Sequence, residues 1–197
     1  MELKVLGIDP GIANTGVCIL RVQFPPARPK NFVDLRSYIE VERFECWHTK
    51  IEDEKTKSVA ALRRSFELAE RLKGLAGENL SMLAMELFSP RGHTQYSDFL
   101  STPVLIGALS YVWKAYFTYP DLLYLIAPVT VKTKMTGKRR ASKKEVYAVA
   151  EDFLQKNPLF GYLKKTEQSH VADAFALAVC GAIQYMKDYK MELWNKR

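Results

Sequence analysis

The chain has 197 residues, of which 48% are hydrophobic and 26% are charged, as in folded proteins with a sizeable core. Its formal net charge is +7, which suggests a polyanionic partner if the positive charges are clustered. Three scattered cysteines and the lack of a long apolar run exclude a disulfide framework, a zinc-binding cysteine spacing and a membrane-spanning helix. We therefore expect one domain over residues 1–197, in the cytoplasm and not secreted.

The first sixteen residues predict a β-hairpin that presents an acid. β-forming residues continue to Ile8, and the strand ends at Asp9 because Pro10 and Gly11 stop a strand and turn the backbone. The apolar run 17–22 then returns as the second arm. Asp9 either caps an ordinary turn or faces a metal ion or a phosphate, and the hairpin alone leaves both interpretations open.

The next elements alternate between strand and helix patterns. A Pro-rich loop at 24–30 leads to a third strand at 38–47, and the stretch 55–73 has the three- and four-residue spacing of an amphipathic helix. The predicted apolar stripe of this helix comprises Val59, Leu62, Phe66, Ala69 and Leu72. The apolar run 80–88 predicts a strand buried on both faces, and its one acid, Glu86, requires an explanation.

The second half of the chain predicts helices around one more strand. The stretch 99–119 contains one charged residue, Lys114, so one side of this helix should pack on the sheet and the other on a partner subunit. A fifth strand is expected at 122–127 and is stopped by Pro128. A capping box at 142–145 opens a helix, and the last helix should run from 169 to 190. This order implies a mixed α/β sheet with helices on its faces.

Three acids are candidates for a shared site. If strand four pairs in parallel beside strand one, Asp9 and Glu86 emerge at the same edge of the sheet. His170 and Asp173 share one face of the last helix, at its expected N-terminal turn, where the helix dipole favours an anion. They either project into a site or simply stabilise the helix start.

Carboxylates gathered without lysine partners repel one another, and divalent cations relieve that repulsion. Oxygen ligands suit Mg²⁺ or Mn²⁺. Two such ions about 4 Å apart activate a water and stabilise the leaving oxygen of a phosphodiester. His170 could complete the second ion site or orient the attacking water.

A basic run follows the fifth strand, with seven cations in thirteen residues and no acid among them. Its members are Lys132, Lys134, Lys138, Arg139, Arg140, Lys143 and Lys144. Gly137 and its neighbours predict that much of the run lies on a loop before a helix start. The run is either a solvated surface or a set of phosphate contacts, which would offset the mutual repulsion of its charges and make binding salt-dependent.

A second polar stretch contains Arg91, His93, Gln95 and Tyr96. We expect DNA contacts there, from Arg91 in particular. The preceding Phe88 either stacks on or wedges between bases, or is a core aromatic at a strand end.

Four segments follow one another at plausible spacing within residues 5 to 185. They are Gly7–Gly16, Ala84–Glu86, the basic segment from Pro128 to Val146, and His170–Ala178. These segments resemble the RuvC family of Holliday-junction resolvases, the crossover junction endodeoxyribonucleases of the RNase H-like superfamily. The basic segment together with the closing helix is specific, whereas actin-like ATPases share a hairpin similar to the first segment.

The resemblance implies an RNase H-like fold with a five-stranded mixed sheet, in the strand order 3-2-1-4-5, flanked by helices on both faces. It also implies a homodimer that binds four-way DNA junctions and nicks two strands symmetrically in recombination and repair. The implied reaction is phosphodiester hydrolysis with two Mg²⁺ ions per active site, for which Mn²⁺ would substitute. A Pro-rich loop at 24–30 and the stretch 89–103 depart from the family pattern.

Carried over residue by residue, Asp9, Glu86 and Asp173 are metal ligands. His170 stands where many members carry another aspartate, and we include it among the metal ligands. Lys143, together with Lys132, corresponds to a phosphate-binding or transition-state lysine.

Three alternatives remain open from the sequence. One is a relative on the same fold that cleaves other branched DNA or RNA. Another is a DNA-binding protein without catalysis. The third is a nucleotide-binding module of the actin or sugar-kinase type, against which the chain shows no second Gly-rich phosphate hairpin.

Overall fold

The computed structural model describes residues 2–49, 57–88 and 96–189. Its strands are β1 (Glu2–Asp9), β2 (Asn14–Gln23), β3 (Ile39–His48), β4 (Met82–Glu86) and β5 (Leu123–Ile126). Its α-helices are α1 (Phe32–Leu35), α2 (Lys57–Lys73), α3 (Tyr96–Tyr116), α4 (Pro128–Thr136), α5 (Lys143–Leu154) and α6 (Lys165–Tyr189). Short 3-10 turns lie at Arg36–Tyr38, Ala76–Glu78 and Pro158–Tyr162.

The five strands form one mixed sheet in the order β3-β2-β1-β4-β5, which confirms the predicted order. β1, β2 and β3 are antiparallel neighbours, whereas β4 is parallel to β1 and β5 is parallel to β4. Ile8 pairs with Met85 in the parallel β1–β4 ladder. The next residues along the two strands are Asp9 and Glu86, so both acids leave the sheet at the same edge.

Helices cover both faces of the sheet, as predicted. Successive residues of a strand point to opposite faces, so the fully buried Val5 and Leu6 belong to two different cores. The core around Val5 is closed by α1, α4, α5 and α6. The core around Leu6 is closed by α2 and α3. Full burial of each such apolar side chain contributes roughly 1.5–3 kcal/mol to folding.

The last helix begins earlier than predicted, at Lys165. The carboxylate of Glu167 accepts a hydrogen bond from the backbone N–H of Lys164 (2.8 Å), which caps the polar first turn. His170 and Asp173 therefore lie in the second and third turns and not at the helix N-terminus. The expectation that the helix dipole stabilises an anion at these two positions was wrong, since that effect is confined to the first turn.

The basic run does not form the predicted loop throughout, because α4 contains Lys132 and Lys134. Pro128 occupies the first turn of α4, where its missing N–H costs nothing. Gly137 ends the helix in the left-handed region at φ 73°. The expectation that Pro128 only stops β5 overlooked this helix start. The capping box at 142–145 is confirmed, with reciprocal hydrogen bonds between Ser142 and Glu145.

The apolar stripe of α2 is buried only in its second half. Ala69 and Leu72 lie in the core, whereas Val59, Leu62 and Phe66 are 46%, 46% and 60% exposed. The periodicity could not show which half of the stripe the core would cover.

The helix α3 has the two different sides that were expected. Its core side carries Leu105, Leu109 and Trp113, which are fully buried. Its other side carries Val104 and Tyr111, which are 41% and 71% exposed. Within the described residues, no helix combines the length and the apolar character needed to span a bilayer.

Candidate active site

Two adjoining pockets lie at the ends of β1 and β4, between the sheet and the helices α4, α5 and α6. Both pockets are lined by Glu86, Pro128 and Lys143. The first pocket also contains Asp9 and His170, and the second contains Asp173 and Lys132. The structure thus gathers the four predicted metal ligands and the two predicted phosphate-binding lysines around one cleft.

Strand alternation explains why the acids face α6. Gly7 lies two residues before Asp9, on the same side of β1, and directly against Ala174 of α6. A Cβ atom at Gly7 would overlap the backbone oxygen of Ala174. At Gly16, in the second arm of the hairpin, a Cβ atom would overlap the backbone oxygen of His170. The two glycines therefore let the hairpin approach α6 closely enough to bring Asp9 to His170.

Asp9 and His170 form a direct contact in the first pocket. Nδ1 of His170 donates to Oδ2 of Asp9 over 2.7 Å, and the Asp9 side chain is only 14% exposed. This hydrogen bond raises the pKa of His170, and the charge of Asp9 acts in the same direction. The bond also fixes the ring, so that Nε2 is the nitrogen left for another partner.

Asp173 and Lys143 form the corresponding contact in the second pocket, where Nζ of Lys143 lies 2.7 Å from Oδ2 of Asp173. Burial raises the pKa of Asp173, and the nearby charge of Asp9 adds to this effect. Burial alone would lower the pKa of Lys143, but the hydrogen bond to Asp173 and the charges of Asp9 and Glu86 outweigh it and raise the pKa. The expectation of carboxylates without a lysine partner was therefore wrong for Asp173.

The cleft contains side chains that can ligate a divalent cation, but in this structure they are not close enough together to share one. Three carboxylates and one imidazole are ligands that Mg²⁺ and Mn²⁺ accept. Among the described residues, however, no three His, Cys, Asp or Glu side chains are grouped closely enough to hold one metal ion. Two of the acids, Asp9 and Asp173, are engaged by side chains of the protein itself, His170 and Lys143. Metal binding would therefore have to displace Lys143 from Asp173 and to share Asp9 with His170.

The basic run extends away from the second pocket. Lys132 lines that pocket, and Nζ of Lys134 donates to the backbone oxygen of Lys30 over 2.9 Å. Nζ of Lys138 lies 3.4 Å from a carboxylate oxygen of Glu145. The seven cations of the run are therefore not all unpaired, since Lys138 and Lys143 each have an acidic partner. Within the described part of the chain, the remaining members form no ion pair and are exposed. They are Arg139, Arg140 and Lys144.

Phe88 lies where a core aromatic at a strand end was expected, whereas its stacking on bases stays a prediction. Its half-buried ring packs against the core between the sheet and α2 and α3, and it also lines the first pocket. Arg91, His93 and Gln95 lie outside the described residues. Thr102 of α3, which the sequence did not single out, also lines the first pocket.

A polar chain beside the site was missed in the sequence. Nε2 of His48, at the end of β3, lies 2.8 Å from Glu167 in α6, and its Nδ1 lies 2.8 Å from the side-chain oxygen of Asn14. Glu167 precedes His170 by three residues, and this spacing already placed the two side chains on one helix face. The contact of Glu167 with His48 of β3 could not be predicted without the fold, because the two residues are distant in the chain.

The chain matches no protein-family model and no curated protein sequence. Among solved structures it is similar to RuvC of Thermus thermophilus, with 22% identity, a TM-score of 0.64, and coverage of 95% of this chain and 96% of the other. For the T. thermophilus RuvC in complex with Holliday junction substrate, the identity is 20%, the TM-score 0.65, and the coverage 94% and 96%. The yeast mitochondrial Holliday junction resolvase matches with 15% identity, a TM-score of 0.62, and coverage of 98% and 84%. The chain therefore has the RNase H-like fold that these RuvC and resolvase structures share, as the sequence resemblance implied.

Proposed function

We propose that the chain is an endonuclease that resolves four-way (Holliday) DNA junctions by metal-dependent phosphodiester hydrolysis, in recombination and repair. One observation carries the proposal: three acids from β1, β4 and α6 line one cleft together with two lysines. The fold supports it, because it matches almost the full length of a RuvC that was solved with a Holliday junction substrate. In this proposal residues 1–197 form one nuclease domain that acts on DNA in the cytoplasm.

The metal ligands would be Asp9, Glu86, Asp173 and His170. When bound, two Mg²⁺ or Mn²⁺ ions would supply an activated water and stabilise the charge on the leaving oxygen. The hydrogen bond from Nδ1 of His170 to Asp9 orients the imidazole ring. Nε2 of that ring would then bind a metal ion or position the attacking water. Lys143, released from Asp173, would donate to a non-bridging oxygen of the scissile phosphate.

The remaining cations would hold the DNA. Lys132 would contact a phosphate next to the cleft, and the other members of the basic run would follow the backbone outward. These contacts are Lys134, Lys138, Arg139, Arg140 and Lys144. Phe88, on the wall of the first pocket, would stack against a base at the branch point, and we assign Arg91 to the same DNA surface.

The chain would act as a homodimer, because a four-way junction has two strands to cut at symmetric positions. Exposed apolar side chains of α2 and α3 provide a surface for this contact, which we call the α2/α3 patch. Its members are Val59, Leu62, Phe66, Val104, Tyr111 and Tyr116, each at least 41% exposed. Burial of such side chains between two copies would supply the stabilisation that a symmetric dimer needs.

A labelled mobile four-way junction tests the proposal. The junction is incubated with the protein and Mg²⁺, and the nicks are mapped on all four strands. Paired nicks at symmetry-related positions support the proposal. Asp9→Asn should abolish cleavage, with a loss of at least about a hundredfold, and retain junction binding. Absence of nicks at every metal concentration would contradict a nuclease.

One observation favours a second candidate, a DNA-binding protein without catalysis. Asp9 and Asp173 already have side-chain partners in His170 and Lys143, so these two acids are paired without a metal ion. This alternative requires that Asp9→Asn changes no activity. A nuclease that cleaves other branched DNA or RNA would differ from the proposed one only in its substrate. A gel shift separates these cases by comparing the affinities for a four-way junction, a duplex and an RNA hairpin.

A further inference from the structure

The Pro-rich segment at 24–30, which departs from the family pattern, is anchored at both ends. Pro25 and Pro29 are buried, and the backbone N–H of Lys30 donates to Oδ2 of Asp34 over 2.8 Å. At the start of the segment, the ring of Phe24 lies 6.5 Å from that of Tyr185. Proline restricts the backbone further, so the segment presents its side chains in a defined arrangement at little entropic cost on binding.

The helix that follows holds this segment against the main core. Phe32 in α1 is buried and packs edge-on against Phe153 and Phe175, with ring centroids 5.6 and 5.8 Å apart. Leu35 is fully buried in the same core. The position of the 24–30 loop is thus set by the face of the sheet that also carries α4, α5 and α6.

The exposed side chains here are predominantly cationic. Arg28, Lys30 and Arg36 are exposed and form no ion pair with any acid in the described residues. The nearby acid, Asp34, is engaged by the Lys30 backbone. On β2 and β3, by contrast, Arg21 and Arg43 each contact at least two glutamates. The 24–30 loop is therefore a site of uncompensated positive charge.

A direct contact joins this loop to the helix that borders the cleft. Nζ of Lys134 donates to the backbone oxygen of Lys30, while Pro128 and Lys132 of the same helix line the second pocket. Six residues separate Pro128 from Lys134, which corresponds to about 9 Å along the helix axis. This is roughly the axial span of three nucleotides of one strand in a duplex.

We propose that the 24–30 loop is a second DNA contact site, which binds the phosphate backbone of the duplex arm that leaves the cleft along α4. Arg28 and Lys30 would each contact a phosphate at least about three base pairs from the scissile bond. The inference rests on the proposed function, since it assumes that DNA occupies the cleft. It assigns a role to the segment in which this chain departs from the RuvC pattern.

The test compares the double variant Arg28→Glu, Lys30→Glu with the parent and with Arg64→Glu, a charge reversal on α2 at the opposite face of the sheet. Binding to a four-way junction is followed by fluorescence anisotropy over a range of salt concentrations. At about 0.1 M salt we expect the loop variant to bind about 10- to 100-fold more weakly, with a salt slope smaller by about two. Arg64→Glu should leave that slope unchanged.

The nicks should stay at the same positions, because neither substitution touches the cleft. Both substitutions also retain the backbone bonds of Lys30. If the loop variant binds the junction with the affinity and the salt slope of the parent, the inference is overturned and the proposed function stands. A parent chain that binds no junction at all would overturn both.

A second measurement does not depend on weakening the protein. A photoactivatable maleimide attached to Arg28→Cys should cross-link to duplex-arm nucleotides beyond the scissile phosphate. The native thiols do not interfere, since Cys18 and Cys180 are buried and burial raises the pKa of Cys46 to about 11. Cross-links confined to the branch point, or none while the labelled chain binds the junction, would overturn the inference.

Discussion

Nζ of Lys143, at the start of α5, lies 2.7 Å from Oδ2 of Asp173 in the third turn of α6. The negative charges of Asp9 and Glu86 also help to raise the pKa of this ammonium group. The protein thus places its own cation where the proposed metal ions have to bind. A metal ion must compete with Lys143 for Asp173, and this competition is open to measurement.

Replacement of Lys143 by methionine should strengthen metal binding and weaken cleavage. Removal of a competing positive charge from a partly exposed site should raise Mn²⁺ affinity about tenfold, or about 1.4 kcal/mol. Cleavage should fall nonetheless, because the proposed contact of Lys143 with the phosphate is lost. Binding is measured from the free Mn²⁺ signal in electron paramagnetic resonance. The matched variant Lys144→Met removes an exposed charge that has no ion pair among the described residues, and it should retain parent affinity. A weaker Mn²⁺ complex in Lys143→Met would contradict the prediction.

The pKa of His170 predicts opposite pH dependences for stability and for metal binding. Its hydrogen bond to Asp9 raises the pKa above the usual value of about 6.5. Without metal, this pair contributes its full stabilisation below about pH 6.5 and loses it as the pH rises through the raised pKa. Metal binding requires the neutral imidazole, so Mn²⁺ affinity should increase over that same interval.

The variant His170→Asn isolates this effect. The asparagine cannot be protonated, so the rise in Mn²⁺ affinity above about pH 6.5 should become smaller. The measurement is a series of Mn²⁺ titrations at successive pH values for parent and variant. Identical pH profiles would show that another group controls metal binding.

Gly16→Ala should destabilise the fold and impair the site together. The new methyl group would overlap the backbone oxygen of His170, so the hairpin and α6 must separate. We expect a loss of about 1–3 kcal/mol in the free energy of unfolding, measured by urea denaturation, and a lower cleavage rate. Gly77→Ala is the matched control, because a Cβ atom there meets no atom within 4 Å. Equal stability of the Gly16→Ala and parent chains would show that the close approach is not required.

Phe66→Asp should weaken the proposed homodimer. Phe66 is 60% exposed in the α2/α3 patch, and its loss from both subunits removes two apolar contacts and introduces two charges. At about 1.5 kcal/mol for each buried ring, the dimer dissociation constant should rise by at least about a hundredfold. Sedimentation velocity measures the change, and unpaired nicks should replace paired ones. Leu159→Asp is the control, since Leu159 is 63% exposed outside the patch. A parent chain that stays monomeric would contradict the interface.

The strands, the capping box and the position of Asp9 could be predicted because they depend on neighbouring residues. Proline and glycine end β1 wherever it folds, and Ser142 caps a helix with Glu145 from three residues away. The same local logic failed for Pro128, which stops a strand and starts a helix equally well. It failed also for α2, where one apolar period continues from a buried half into an exposed half.

The sequence by itself determined which side chains were available: the acids, the histidine and the cationic run after β5. Only the tertiary structure decided their partners, because those partners are distant in the chain. The Asp9–His170 bond joins residues 161 positions apart, and the Lys134–Lys30 bond joins residues 104 positions apart. Such contacts depend on sheet register and on how closely α6 approaches the hairpin, which no local pattern encodes. For the same physical reason the sequence suggested repelling carboxylates, whereas the fold supplies Asp173 with Lys143.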